Sequence, residues 1–192
     1  VTAEDKTVQT LGSVQITVQS GVSAIAADTS VEIDVDSLAT ASLSVTLTGA
    51  ASGDVLAVRS SDESVVTVPA SVDASTGSCS VTLTAVKTGT AAVTLSCGTA
   101  TAQVAVTVKA TKDHTVTFEK QKLTVKKGET AVNPVTKAPA AGDKLTYASS
   151  STAVATVDAS TGAVTGGAAG TATITATVKN ASDVIVGTAS YT

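Results

Sequence analysis

The hexapeptide VDASTG stands at Val72–Gly77 and again at Val157–Gly162. Its flanks repeat with it. SSDESVVTV (Ser60–Val68) lies over SSSTAVATV (Ser149–Val157) at an offset of 89, and once the insertion PASV (Pro69–Val72) is absorbed DASTG follows at 85. Gly89-Thr90 within TAVKTGTAAVTL then matches Gly170-Thr171 within GGAAGTATITAT at 81. Anchors in one order with falling offsets identify a duplicated unit whose turns differ in length. VEIDVDS (Val31–Ser37) precedes the first set of anchors as KLTVKKG (Lys122–Gly128) precedes the second. The units are therefore placed at residues 21–110 and 111–192, joined by the short charged link KATKDHT (Lys109–Thr115), which contains no Gly or Pro and should be semi-rigid. The two units are expected to stack end to end.

Each unit reads as strands. SLSVTLT (Ser42–Thr48) puts Leu43, Val45 and Leu47 on one face, and QVAVTV (Gln103–Val108) does the same with Val104, Val106 and Val108. TATITATV (Thr171–Val178) aligns Ala172, Ile174, Ala176 and Val178. Apolar residues alternating with Thr or Ser mark half-buried antiparallel strands. With 30 Val, 35 Thr and 5 Ile, 70 of the 192 residues are β-branched, which suits a pleated sheet and not a helix. About seven strands per unit, separated by SGD, STG and KTG turns, predict an all-β chain of two β-sandwiches. VDASTG is then a hairpin turn, with Asp and Ser bonding turn amides and Gly supplying a positive φ.

Residues 1–20 stand outside both units. GSVQITVQS (Gly12–Ser20) alternates Val14, Ile16 and Val18 like a final strand. It is either the tail of a preceding repeat or a strand that completes a neighbouring subunit by β-addition.

The run SSSTAVATVDASTGAVTGGAAGTATITATV (Ser149–Val178) resembles the signature of the bacterial Ig-like group 2 (BIG2) family. In that signature a Ser-rich strand enters VA-V-D, a Gly turn, V-T-G and then G-T-A-x-I-T. The first unit follows it more loosely, with PASV inserted and SCSVTLTAVK in place of the short V-T-G stretch. The resemblance implies two tandem immunoglobulin-like sandwiches of a kind found in bacterial surface adhesins, cell-wall enzymes and phage virion proteins. There the module spaces, displays or binds.

The chemistry-bearing residues agree with a non-catalytic role. The one histidine, His114, lies in the link without a metal-ligating or triad motif and is expected to be exposed. Glu32, Asp34 and Asp36 alternate on one strand face, which does not wrap a calcium ion, and are expected to form a solvated edge. The lysines of FEKQKLTVKK (Phe118–Lys127) lack Arg and interleaved aromatics, which argues against nucleic acid. Phe118, Tyr147 and Tyr191 are the only aromatic residues and there is no Trp, so no stacking platform for sugars or bases is expected. Asn133 and Asn180, the only asparagines, raise the possibility of a Lys–Asn cross-link. No run of about 20 apolar residues is present to span a membrane, and no cofactor motif appears.

Cys79 shares parity with Val81 and Leu83, and Cys97 with Val93 and Leu95, so both thiols should face the core. Each lies nine residues from Thr88, which permits a disulfide whether the intervening turn is a hairpin or an arch between sheets. Charge divides by unit. Residues 1–108 hold ten acids against Lys6, Arg59 and Lys87, a net of −7, while residues 109–192 hold nine lysines against six acids, a net of +3. This describes two solvated surfaces or modules that attract one another head to tail between copies.

The expectation is an extracellular spacer or adhesion segment of a bacterial surface protein, with a host or bacterial surface protein or glycan as partner. The alternatives are a virion module binding host-surface glycans and an accessory module of a wall-acting enzyme.

Overall fold

The computed structural model describes residues 21–192. Among the described residues nine strands precede the link: β1 (Ala24–Ala27), β2 (Ser30–Asp34), β3 (Thr40–Thr48), β4 (Val55–Ser60), β5 (Val66–Thr67), β6 (Ser71–Asp73), β7 (Ser78–Ala85), β8 (Gly89–Cys97) and β9 (Ala100–Lys109). They form two sheets, β1-β3-β7-β5 and β2-β9-β8-β4-β6. The entering chain divides its length between them, β1 pairing antiparallel with β3 and β2 parallel with β9, as in immunoglobulin sandwiches. The alternation read from the sequence sets the inward face. Leu43, Val45 and Leu47 of β3 are buried, and the Ser and Thr residues between them are exposed. The core between the sheets is aliphatic, with Ile33, Leu43, Leu56, Leu83 and Leu95 as its largest fully buried side chains.

Eight shorter strands follow: β10 (Thr117–Phe118), β11 (Thr130–Val132), β12 (Val135–Lys137), β13 (Lys144–Ser149), β14 (Ala155–Val157), β15 (Ala163–Gly166), β16 (Ile174–Lys179) and β17 (Ile185–Tyr191). They pair as β13-β16-β17, β11-β15-β14 and β10-β12. β11 and β12 are separated at Pro134, which has no N–H to offer a neighbouring strand. Asn133 fills the gap, its amide donating to Lys120 O (2.7 Å) while its Oδ1 accepts from Lys120 N (3.1 Å). All three aromatic rings of the chain lie in this second sandwich. Phe118 meets Tyr191 edge-on at 4.9 Å between centroids, and Tyr147 stands 6.3 Å from Phe118.

The two VDASTG copies fold differently. In the second, β14 and β15 pair directly, Val157 opposite Val164, and the hexapeptide is the expected hairpin turn. Asp158 Oδ1 accepts from the Ser160 and Thr161 amides at 3.0 and 2.7 Å. In the first, the inserted PASV supplies β6, which pairs with β4. The same hexapeptide must then carry the chain from β6 in one sheet to β7 in the other. It is an arch and not a hairpin, although Asp73 Oδ1 still accepts from the Ser75 amide at 2.9 Å. The turn chemistry was conserved while its partner strand changed.

Gly162 (φ 71°) and Gly77 (φ 77°) both occupy left-handed backbone, but their surroundings differ. A Cβ at Gly162 would lie 2.9 Å from Tyr147 Cζ, whereas at Gly77 the nearest atom, Leu47 O, is 3.4 Å away. Gly162→Ala is expected to cost about 2–3 kcal/mol, from strained φ plus displacement of the Tyr147 ring, and Gly77→Ala only about 1–2 kcal/mol. Urea denaturation of the two variants checks the order.

Candidate functional site: the buried junction between the sandwiches

The link was expected to carry an exposed histidine. Instead His114 is buried, its side chain 4 % accessible, between two carboxylates that are nearly as enclosed. Its Nε2 lies 2.9 Å from Asp36 Oδ1, just beyond β2 of the first sandwich, and its Nδ1 lies 2.6 Å from Asp143 Oδ2, just before β13 of the second. The physical reason is parity. In HTVTF, His114, Val116 and Phe118 alternate inward exactly as strand residues do, at 5 %, 6 % and 7 % exposure.

Each ring nitrogen faces a carboxylate oxygen, an arrangement that a protonated imidazole satisfies fully because it donates from both nitrogens. Burial opposes that charge, but Asp143 and Asp36 outweigh it and raise the His114 pKa above its ordinary 6.5. Asp36 moves the other way. Its own burial raises the pKa, yet the amides of Lys112 (2.8 Å) and Thr111 (2.7 Å) bonding to Oδ2, together with His114, bring it below 3.8. One carboxylate oxygen thus caps the link backbone while the other holds the ring.

A second contact lies alongside. Asn180, at the turn between β16 and β17, donates to Val35 O of the first sandwich at 2.8 Å. Its Oδ1 accepts from the Ser182 and Val184 amides and shapes that turn. Val184, 2 % exposed, enters the aliphatic core of the first sandwich. Val186 packs against both cores. Backbone bonds complete the seam: Thr88 N donates to Ile185 O at 3.0 Å, and Ile185 N to Val86 O at 2.9 Å. The outer margin carries Lys137–Asp113 and Lys109–Glu32, each at 2.6 Å and well exposed.

The structure redistributes the other candidates. Of the three acids expected on a solvated edge, Glu32 stands exposed on edge strand β2 and pairs with Lys109, Asp34 beside it is half-buried with its Oδ1 accepting from the Asp36 amide, and only Asp36 departs, turning into the junction. The carboxylates of Asp36 and Asp143 take opposite nitrogens of His114, so they clamp the ring and do not converge on a common cation. Among the described residues no cluster of His, Cys, Asp or Glu is arranged to hold a metal ion. The amides of Asn133 and Asn180 bond backbone atoms of Lys120 and Val35. Of the lysine-rich stretch, Leu123 and Val125 are half-buried and Lys122, Lys126 and Lys127 exposed. Cys79 and Cys97 sit on β7 and β8, in opposite sheets, so the turn between them is an arch. Both border one core, and the Cys79 pKa is raised by burial, then by the charges of Asp73 and Cys97. The segment Gly12–Ser20, expected above to form a strand, lies outside the described residues.

Stability should follow the junction's titration. A raised folded pKa for His114 means its contribution is complete below 6.5 and is lost as pH rises through the folded value. The lowered Asp36 value means its contribution is present above 3.8 and is lost as pH falls through the folded value. Urea midpoints are therefore expected to be highest between these limits. His114→Gln should lower the unfolding free energy there by about 3 kcal/mol, read from the urea curves, because two buried carboxylates lose their cation. The same variant should show no decline on the alkaline side.

Among the described residues no helix is long and apolar enough to cross a membrane, which says nothing of a β-barrel. No curated protein matches the chain. Solved structures similar to it include S-layer protein SbsC domains 7, 8 and 9, at 19 % identity, 92 % of this chain, 64 % of that one and a TM-score of 0.45. A C-terminal intimin fragment, solved with the intimin-binding domain of its translocated receptor, gives 18 %, 88 %, 62 % and 0.38. The Yersinia pseudotuberculosis adhesin InvE gives 17 %, 88 %, 57 % and 0.36. These superpositions are partial, and the fold rests on the strand order described above. The second sandwich is placed by sequence: residues 113–189 match the family model of the bacterial Ig-like domain (group 2).

Proposed function

We propose that this chain is a non-catalytic spacer or adhesion stalk of a bacterial surface protein, built from tandem modules at residues 21–110 and 111–192. The junction carries this reading. A stalk transmits position and force only if its modules keep a fixed relation, and an exposed link of a few residues does not ensure that. Here an imidazolium between two carboxylates, a buried Asn180–Val35 bond and Val184 in the neighbouring core couple the sandwiches. The single histidine is held on both ring nitrogens, which makes it a poor candidate for a catalytic base. The group 2 match of the second module supports a surface location, with a host or bacterial surface protein or glycan as partner.

In this extracytoplasmic setting Cys79 and Cys97 are read as a bridge between the two sheets of the first sandwich. Two thiols lose two electrons and two protons to a disulfide-carrying oxidant. The second module has no cysteine, so the bridge supplements the fold. Alkylation under denaturing conditions should modify neither thiol before reduction and both after it. Modification without reductant in protein from its native compartment contradicts the bridge.

Small-angle scattering of the full chain should give one extended particle. His114→Gln combined with Asn180→Ala should give a flexible two-body profile with both sandwiches folded. Scattering already flexible in the parent overturns the stalk. Immunogold labelling of the native source should mark the cell surface, and label confined to the cytoplasm or to virions overturns the location.

A further inference from the structure

The ring of His114 is shared unequally between the two modules. By packing it belongs to the second, since Val116 and Phe118 beside it lie in that core. Its Nδ1 contact with Asp143 (2.6 Å) is internal to the second module, and its Nε2 contact with Asp36 (2.9 Å) is the one that crosses the seam. A neutral imidazole keeps a single N–H and turns a lone pair on its other partner. The two carboxylates differ in what remains to them without the ring. Asp36 Oδ2 accepts from the Thr111 and Lys112 amides at 2.7 and 2.8 Å, so Asp36 keeps two donors of its own. Among the described residues the Asp143 carboxylate accepts from His114 alone. The one remaining N–H is therefore best placed on Nδ1, toward Asp143. Nε2 then turns a lone pair on Asp36 Oδ1, and two buried acceptors held at hydrogen-bond distance are unfavourable. The contact that fails is the one between modules.

No neighbouring charge takes the place of the proton. Asp34 uses its Oδ1 on the Asp36 amide. Glu32, Asp113 and Asp183 pair with Lys109, Lys137 and Lys179 at the outer margin. Lys87, Lys112 and Lys144 are exposed. A cleft of about 530 Å³, lined by Thr88, Ala110, His114, Val186 and Thr188 among others, runs along the seam and gives water a way to the ring. The other ties do not titrate. The Asn180–Val35 bond, Val184 in the first core and the backbone bonds of Ile185 all come from one place on the second module, the turn into β17. Together with the covalent link they leave an axis about which the modules turn once the clamp opens.

We propose that His114 is a proton-operated latch: with the ring protonated the two sandwiches are locked together, and when the proton leaves they swing about the Asn180 turn and the link while each stays folded. This deepens the stalk reading by naming what regulates its stiffness, and it rests on that reading's claim that the junction fixes the modules. The two carboxylates raise the folded pKa of His114, so the latch is closed below 6.5 and opens as pH rises through the folded value.

Nuclear magnetic resonance of the His114 ring and small-angle scattering of the same 192-residue samples, from about pH 6 to about pH 10, test the latch. The radius of gyration and the flexibility of the particle should rise with the midpoint of the ring titration, without change in the circular dichroism spectrum. Ring 15N shifts of the neutral form should report the Nδ1–H tautomer. Asp36→Asn should stay rigid on the alkaline side, because its Oδ1 accepts from the link amides while its Nδ2 donates to the neutral Nε2. His114→Gln should give scattering that does not change with pH. A parent that stays rigid on both sides of the ring titration overturns the latch and leaves the stalk standing. A pH effect that survives His114→Gln, or an Asp36→Asn chain that loosens with the parent, also overturns the latch. Flexible scattering with the ring protonated overturns the stalk reading itself.

Discussion

An imidazolium enclosed by two carboxylates is the constraint on which the arrangement of this molecule depends. Removing a charge from water costs several kcal/mol even after relaxation, so His114 is tolerable at the seam only because Asp36 and Asp143 approach it from opposite sides. The clamp also orders what surrounds it. Asp36 can face the ring only if its other oxygen holds the link amides, and that fixes the path of residues 111–112. With the link fixed, the Asn180 turn meets Val35 and Val184 reaches the first core. Polar geometry sets the relation of the modules, and apolar burial then reinforces it.

The two sandwiches reuse one turn chemistry and differ around it. PASV supplies β6 in the first sandwich, so the same hexapeptide is an arch there and a hairpin in the second. Core composition diverged as well. The first sandwich is filled by aliphatic side chains in two broad sheets, and the second, with shorter strands, uses the edge-on pair Phe118 and Tyr191. A ring buries more area per residue than Val or Ala, which suits a sheet with fewer residues to contribute.

Much of the fold was legible in local pattern. Leu43, Val45 and Leu47, like Val104, Val106 and Val108, are buried as their alternation required, because a strand side chain can only point to one face or the other. The placement of Cys79 and Cys97 in a shared core followed from the same rule, whereas the choice between hairpin and arch did not. That choice depends on which sheet each strand joins. The junction was missed for a similar reason. His114 has the inward parity of Val116 and Phe118, but the link is short and charged, and Asp36 and Asp143 are distant in sequence. Only their approach in space turns three ordinary titratable residues into one buried cluster.

By itself the sequence determined the class of the fold, the duplication and the inward face of each strand, because these follow from side-chain period and turn stereochemistry over a few residues. Tertiary structure alone decided that the first VDASTG crosses between sheets and that the histidine is enclosed. Each depends on groups brought together across tens of residues, where local period carries no information and the geometry of packing does.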